Sequence, residues 1–316
     1  MMILKRAVAA IFLTLGFALV THLCADERRA PAPSYTPDQL RGVFFENLDD
    51  AFRGERPTLS AVRSSAVTAA AAVPVKGGAG SEGSEGDDLW SPLISPTSME
   101  DEIKRVKLHF DSVVTTPGAF NSGGYQEARL DLTVLATLFA VIHQYKGEVR
   151  WKDQAAAARD LIARTAFNCK AGSTQVYNEA KLRKGDLQDL VSGSGLSSRE
   201  AEVETDWTMV ADRSPLMEYA EILIETLEDG SRDEATIKRD PDLVKRNSEL
   251  LAILGEVLTQ EGMDEADDED YAKLSRDMTA AAKEVTAAID RMDFEAVRKG
   301  TSAVRQRCDA CHEQYR

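Results

Sequence analysis

The sequence predicts an all-α fold. A C-terminal antiparallel four-helix bundle spans residues 214–316, and a second helical bundle over 90–195 precedes it and reads as a degenerate duplicate. Three observations carry this. Aromatic residues are only 6% of the 316 while hydrophobic residues are 43%, so the apolar supply is mostly Ala, Leu and Val. That mixture packs helices better than it fills a β-sandwich. From Trp90 onward, apolar positions recur at three- and four-residue spacing, with no convincing period-two alternation. Short polar or Gly-rich breaks divide the periodic stretches into helix-length pieces.

Residues 1–25 read as a secretory signal. Lys5 and Arg6 are followed by a charge-free stretch to Ala25, and Leu23-Cys24-Ala25 offers a cleavage site. An uncleaved membrane anchor is the alternative, since the run approaches spanning length. Lipidation of Cys24 is disfavoured by Leu23, which stands where a small residue is normally needed. Cleavage would leave Cys169, Cys308 and Cys311, with His109, His143 and His312. It would also move the formal charge from −15 to −17 by removing two cations and no carboxylate. The expected mature protein is exported, periplasmic or otherwise, and soluble.

Residues 26–89 read as an extended segment, a short helix and a linker. Pro37 to Arg53 is expected to form the helix, with Thr36 as N-cap and Leu40, Phe44, Leu48 and Phe52 on one face. The stretch PVKGGAGSEGSEGDD, from Pro74 to Asp88, reads as a flexible linker. Folded structure restarts near Trp90. Thr97 with Glu100, or Ser98 with Asp101, makes a capping box. Helices are expected over 98–114, 124–145, 150–168 and 174–191. Gly123-Gly124 and the Ser192 to Gly195 run punctuate them. Residues 196–213 are a linker with room for a short helix.

The last hundred residues repeat the pattern, with helices over 214–228, 241–261, 268–291 and 293–315. Leu216, Ala220, Leu223 and Leu227 form a stripe on the first. Tyr271, Leu274, Met278, Ala281, Val285, Ala288 and Met292 follow heptad spacing on the third. Phe294, Val297, Thr301, Val304, Cys308, Cys311 and Tyr315 do so on the fourth. Such seams are what bundle packing needs. Ser91-Pro92-Leu93 after Trp90 is echoed by Ser214-Pro215-Leu216 after Trp207, which motivates the duplication.

A pI near 4.8 argues against a nucleic-acid binder. Four cysteines are too few for a disulfide scaffold in this length. Two of them stand in Cys308-Asp309-Ala310-Cys311-His312, which fits C-x-x-C-H, the attachment motif of c-type haem. Thiols at i and i+3 share one helical face and can form thioethers to the two vinyl groups of one porphyrin. The adjacent His312 can ligate the iron as the proximal ligand. About 6 × 10⁻⁴ such matches are expected by chance at this composition. A Cys308–Cys311 disulfide and a zinc site are the competing readings, though zinc lacks a second Cys/His cluster.

The stretch CDACHEQYR, on a C-terminal helix preceded by three others, resembles the cytochrome c′ family, the class II c-type cytochromes. The resemblance covers about 214–316 and extends weakly to 90–192, where no C-x-x-C-H occurs. It implies one covalent haem c held in one end of the bundle. Tyr315 and Arg316 would lie in its surroundings, and the first helix would cover its distal face. In the family, a Met there goes with six-coordinate electron carriers, and an apolar residue with five-coordinate binders of NO or CO. Met217, near the start of the first helix, is therefore the candidate distal ligand. The alternative is that Met217 fills the core and Leu216 or Ala220 leaves an apolar pocket.

The leading expectation is an exported single-electron carrier and not an enzyme. A gas-binding module and a structural protein with an accessory haem are the runners-up. The partner expected is a redox protein with a cationic docking surface; a second copy of the chain is a further candidate. The acidic run Asp264 to Asp270 reads as a solvated loop with helix-start carboxylates, or as part of that docking surface. Cys169 reads as a buried small side chain or an intermolecular thiol. His109 and His143 read as structural histidines or as ligands of a second haem.

Overall fold

The computed structural model describes residues 88–196 and 200–315. The expected signal segment with Cys24, the helix expected over 37–53, nearly all of the expected linker and Arg316 lie outside them. The described residues are helical and turn, with no strand among them, and they share one apolar core. Among them, no helix is long and apolar enough to cross a membrane.

Four helices come first: α1 (Pro96–Val113), α2 (Tyr125–Gln144), α3 (Ala155–Asn168) and α4 (Thr174–Ser192). Four more follow: α5 (Arg213–Gly230), α6 (Pro241–Val257), α7 (Glu269–Asp290) and α8 (Phe294–Tyr315). The expected boundaries fall within five residues of these, the largest shift being at α3, which starts at Ala155 and not at 150 because Trp151 takes a left-handed turn; three further differences have a physical reason. The N-cap of α1 is Ser95, whose hydroxyl accepts from the Ser98 amide, and not Thr97 or Ser98; Pro96 then takes the first helical position. The helix expected over 241–261 ends at Val257, and Gly262 with φ +91 completes the turn beyond it. The short helix Glu234–Arg239, capped by Asp233, was not anticipated.

Each quartet closes into a ring. In the first, α1 packs on α2, α2 on α3, α3 on α4 and α4 back on α1. In the second, α5, α6, α7 and α8 repeat that cycle. The two rings meet where α1 packs on α6 and α2 on α5. Two glycines set the close approaches of the second ring. A Cβ at Gly255 would run into Ser275 and Thr279 of α7, and one at Gly300 would stand 2.8 Å from Val285 Cγ2. The α5 stripe of Leu216, Ala220, Leu223 and Leu227 is buried. Met292, placed on the α7 stripe, is instead 46% exposed and takes a left-handed conformation (φ 55) that turns the chain into α8.

Candidate functional site

The heptad seam of α8 changes character along its length. Val297, Gly300, Thr301 and Val304 are buried, whereas Cys308, Cys311, His312 and Tyr315 are half-buried. The cause is a cavity of about 410 Å³ at this end of the second ring, within the range of small-molecule and cofactor sites. In an up-and-down ring the start of α5 lies beside the end of α8. The cavity is therefore walled by Met217 and Ala220 of α5 on one side and by Cys308, Cys311 and His312 of α8 on another. Tyr271, Ser275 and Met278 of α7 form a third side, and Leu258 and Asp264 of the α6–α7 connection complete it.

Cys308, Cys311 and Cys169 are free thiols. Burial pushes the Cys308 thiol up to about 11 and raises Cys311 as well, so both stay protonated at neutral pH. Cys308 Sγ donates to Met278 Sδ at 3.8 Å. Among the described residues, no group of three or more His, Cys, Asp or Glu is arranged to hold a metal ion. A zinc site would therefore lack its remaining ligands.

The polar wall is unsatisfied. Arg213 holds its guanidinium over the Tyr271 ring, 5.8 Å from the centroid, and its Nε lies 3.9 Å from Asp264. Its Nη1, the Tyr271 hydroxyl and the Ser275 hydroxyl are buried without a hydrogen bond. Tyr271 and Ser275 are only 2% and 3% exposed. Orphaned buried donors cost about 1–3 kcal/mol each unless a ligand supplies acceptors. A haem, an apolar ring bearing two carboxylates, suits this mixture: apolar walls, two thiols, an imidazole, and donors in want of acceptors. Tyr315 packs edge-on to Tyr271 at 5.1 Å. Burial and the neighbouring Asp268 carboxylate push its phenol up to about 12.

Of the residues singled out in the sequence, Met217, Cys308, Cys311, His312 and Tyr315 line this one cavity. Ala220 lines it too, but Leu216 does not; Leu216 is fully buried in the core. Sequence reasoning missed Arg213 and Ser275 and assigned Tyr271 and Met278 to packing alone. A signal existed: Arg213 precedes Met217 by four residues, and Tyr271, Ser275 and Met278 are spaced four and three apart, so each set shares a helix face. His109, His143 and Cys169 lie outside the cavity. His109 bonds Asp131 through Nδ1 at 2.8 Å, His143 Nε2 stands 3.1 Å from the Val203 carbonyl, and Cys169 is buried. In the acidic run, Asp268 caps α7 by accepting from the Asp270 and Tyr271 amides, and Asp264 reaches the cavity wall.

A family model described as Cytochrome C' matches residues 266–316. That segment runs from the acidic connection through α7 and α8 to the C-x-x-C-H motif. The family is a four-helix bundle fold and implies haem binding. No curated protein and no solved structure matches the chain.

Proposed function

We propose that the second ring binds one covalent haem c and serves as an exported single-electron carrier. The carrying observation is that Met217, from the first helix of the ring, and His312, from its last, line one cavity onto which both motif thiols open. Cys308 and Cys311 would anchor the ring by thioethers, His312 would be the proximal iron ligand, and Met217 the distal one. Arg213, with the Tyr271 and Ser275 hydroxyls, would satisfy the haem carboxylates. Bound there, the haem supplies a one-electron iron couple. The chain supplies burial, ligand identity and charge; a thioether ligand favours low-spin iron and a raised potential.

The role is that of a carrier and not of an enzyme. Its partner is a redox protein, and the carboxylates at the cavity mouth suit a cationic docking surface. The apolar segment at the N-terminus supports export, which is also where c-type haem attachment takes place. A second reading rests on Ala220 and Ile224, which flank Met217 in the cavity. If Met217 stands aside, they leave an apolar distal face that admits NO or CO. Absorption spectra of the purified protein, oxidised and reduced, with and without CO, test both. A six-coordinate low-spin spectrum indifferent to CO is expected. A high-spin spectrum that shifts with CO would favour the gas-binding reading. Replacing Met217 with Leu should convert the first into the second, and an unchanged spectrum would remove Met217 as a ligand.

A further inference from the structure

The first helices of the two rings, with the tryptophan turns that precede them, are related residue by residue at a constant offset. Tyr219 Oη donates to Glu102 Oε1 at 2.5 Å across a separation of 117 positions. Trp90 and Trp207, the same interval apart, pack against each other at 5.9 Å. The interval also relates Ser95 to Asp212, the N-caps of α1 and α5, and Val114 to Ser231, their C-caps. Both helices are 18 residues long. Turn hydrogen bonds repeat as well: the Trp90 carbonyl accepts from the amides of Leu93 and Ile94, and the Trp207 carbonyl from those of Val210 and Ala211. This register replaces the Ser-Pro-Leu echo, which sets Ser91 against Ser214 and is out of step by six residues.

A residue touches its own counterpart only where a two-fold axis passes, as in an isologous dimer. The reciprocal pairings, α1 with α6 and α2 with α5, obey the same symmetry. We propose that the chain is a single-chain pair of four-helix bundles related by an internal two-fold axis through the Trp90–Trp207 and Glu102–Tyr219 contacts. The interface that a second copy would offer is used up within the chain, and the first bundle is the fixed partner that backs α5. The backing is specific. Glu102 is fully buried and also accepts from Arg105, and Arg246 lies 3.7 Å away. Tyr219 faces this seam, while Met217, two residues earlier and so on the far side of α5, faces the cavity. The partner bundle thereby sets the register of the helix that covers the site.

The two-fold relation stands without haem; only the assignment of haem to the second bundle rests on the function proposed above. The test uses the full chain, with and without haem. Sedimentation should give a one-copy mass across the micromolar range. Hydrogen exchange during a denaturant series should show peptides of α1–α4 and of α5–α8 losing protection together. Tyr219→Phe should lower the folding equilibrium constant about 10-fold or more, with both halves shifting together, because Glu102 loses a buried donor. A two-copy mass, or halves that open separately in the unaltered chain, would overturn the proposal. One-copy mass and joint opening in a protein that never takes up haem would uphold it while sinking the haem reading.

Discussion

The two rings share one helix cycle and differ at one end. In the second ring the connection between α6 and α7 lends Leu258 and Asp264 to a cavity wall, and the last helix carries half-buried Cys308 and Cys311. In the first ring the connection between α2 and α3 delivers Trp151 instead. That indole donates from Nε1 to the Leu190 carbonyl near the end of α4 at 2.8 Å and packs edge-on against Phe139 of α2. Leu187 and Leu190 of α4 are buried. One aromatic from a loop thus occupies, in protein, the end that the second ring leaves for a ligand. A four-helix ring does not by itself create a binding site; the site exists where loop and last helix withhold volume.

Trp151 offers the largest way to break this contrast. It adopts φ 66, a conformation that a bulky residue takes only when its surroundings insist on it. Trp151→Ala should cost about 3–5 kcal/mol, read from denaturant midpoints, because a large buried side chain leaves an empty volume. The haem spectrum should stay unchanged, since α4 carries no thiol pair to anchor a second haem. A destabilisation below about 1 kcal/mol would mean that Trp151 does not fill the first ring.

What the sequence made legible follows the same division. The helices were readable because their apolar stripes are long and local, as in α5 and α8. The motif end of the site was readable because C-x-x-C-H is contiguous. Met217 was reachable by combining bundle antiparallelism with family resemblance. Arg213 and Ser275 were not reached, because their role depends on which faces of α5 and α7 converge, a tertiary fact. The Ser-Pro-Leu echo sets Ser91, ahead of α1, against Ser214, inside α5, whereas the proposed register lies in turn hydrogen bonds and in a Glu opposite a Tyr, residues of unlike type. Trp151 gave no signal, since its place comes from a left-handed turn that no periodicity marks.

The first ring also carries a buried carboxyl that should tie stability to pH. Burial pushes the Asp131 carboxyl of α2 up to about 6, against the lowering effect of its bond to His109. The folded chain therefore holds this proton more tightly than the unfolded chain, whose carboxyl titrates near 4. Stability should fall as pH rises from about 4 to about 6 and level off above that, by up to about 3 kcal/mol. In Asp131→Asn this segment of the stability–pH curve should flatten. Hydrogen exchange would locate the effect in α1 and α2, and a curve identical to that of the unaltered protein would remove Asp131 as its source.

The smallest effect sharpens the comparison most, because it concerns how each ring closes. In the first ring the Lys184 ammonium of α4 donates to the carbonyls of Asp111 at 2.7 Å and Val114 at 3.2 Å, tying the last helix to the end of the first. The second ring does the same with side chains. Arg305 of α8 grips Glu228 of α5 with two parallel bonds of 3.0 and 2.9 Å and reaches Glu221 at 2.8 Å. These groups are partly exposed, so the clamp is worth about 1 kcal/mol, and Arg305→Ala should lower stability by that amount. Its leverage lies elsewhere. Arg305 stands two helical turns before His312, and Glu221 one turn after Met217, so the clamp joins the two helices that carry the candidate axial ligands. Loosening it should let α5 draw away from α8. The haem-loaded variant should then show a larger high-spin fraction and bind CO faster, with Arg305→Lys intermediate because it keeps the charge but not the fork. A loss of about 1 kcal/mol with no change in spin state or CO binding would confine Arg305 to stability and leave the placement of Met217 to the seam behind α5.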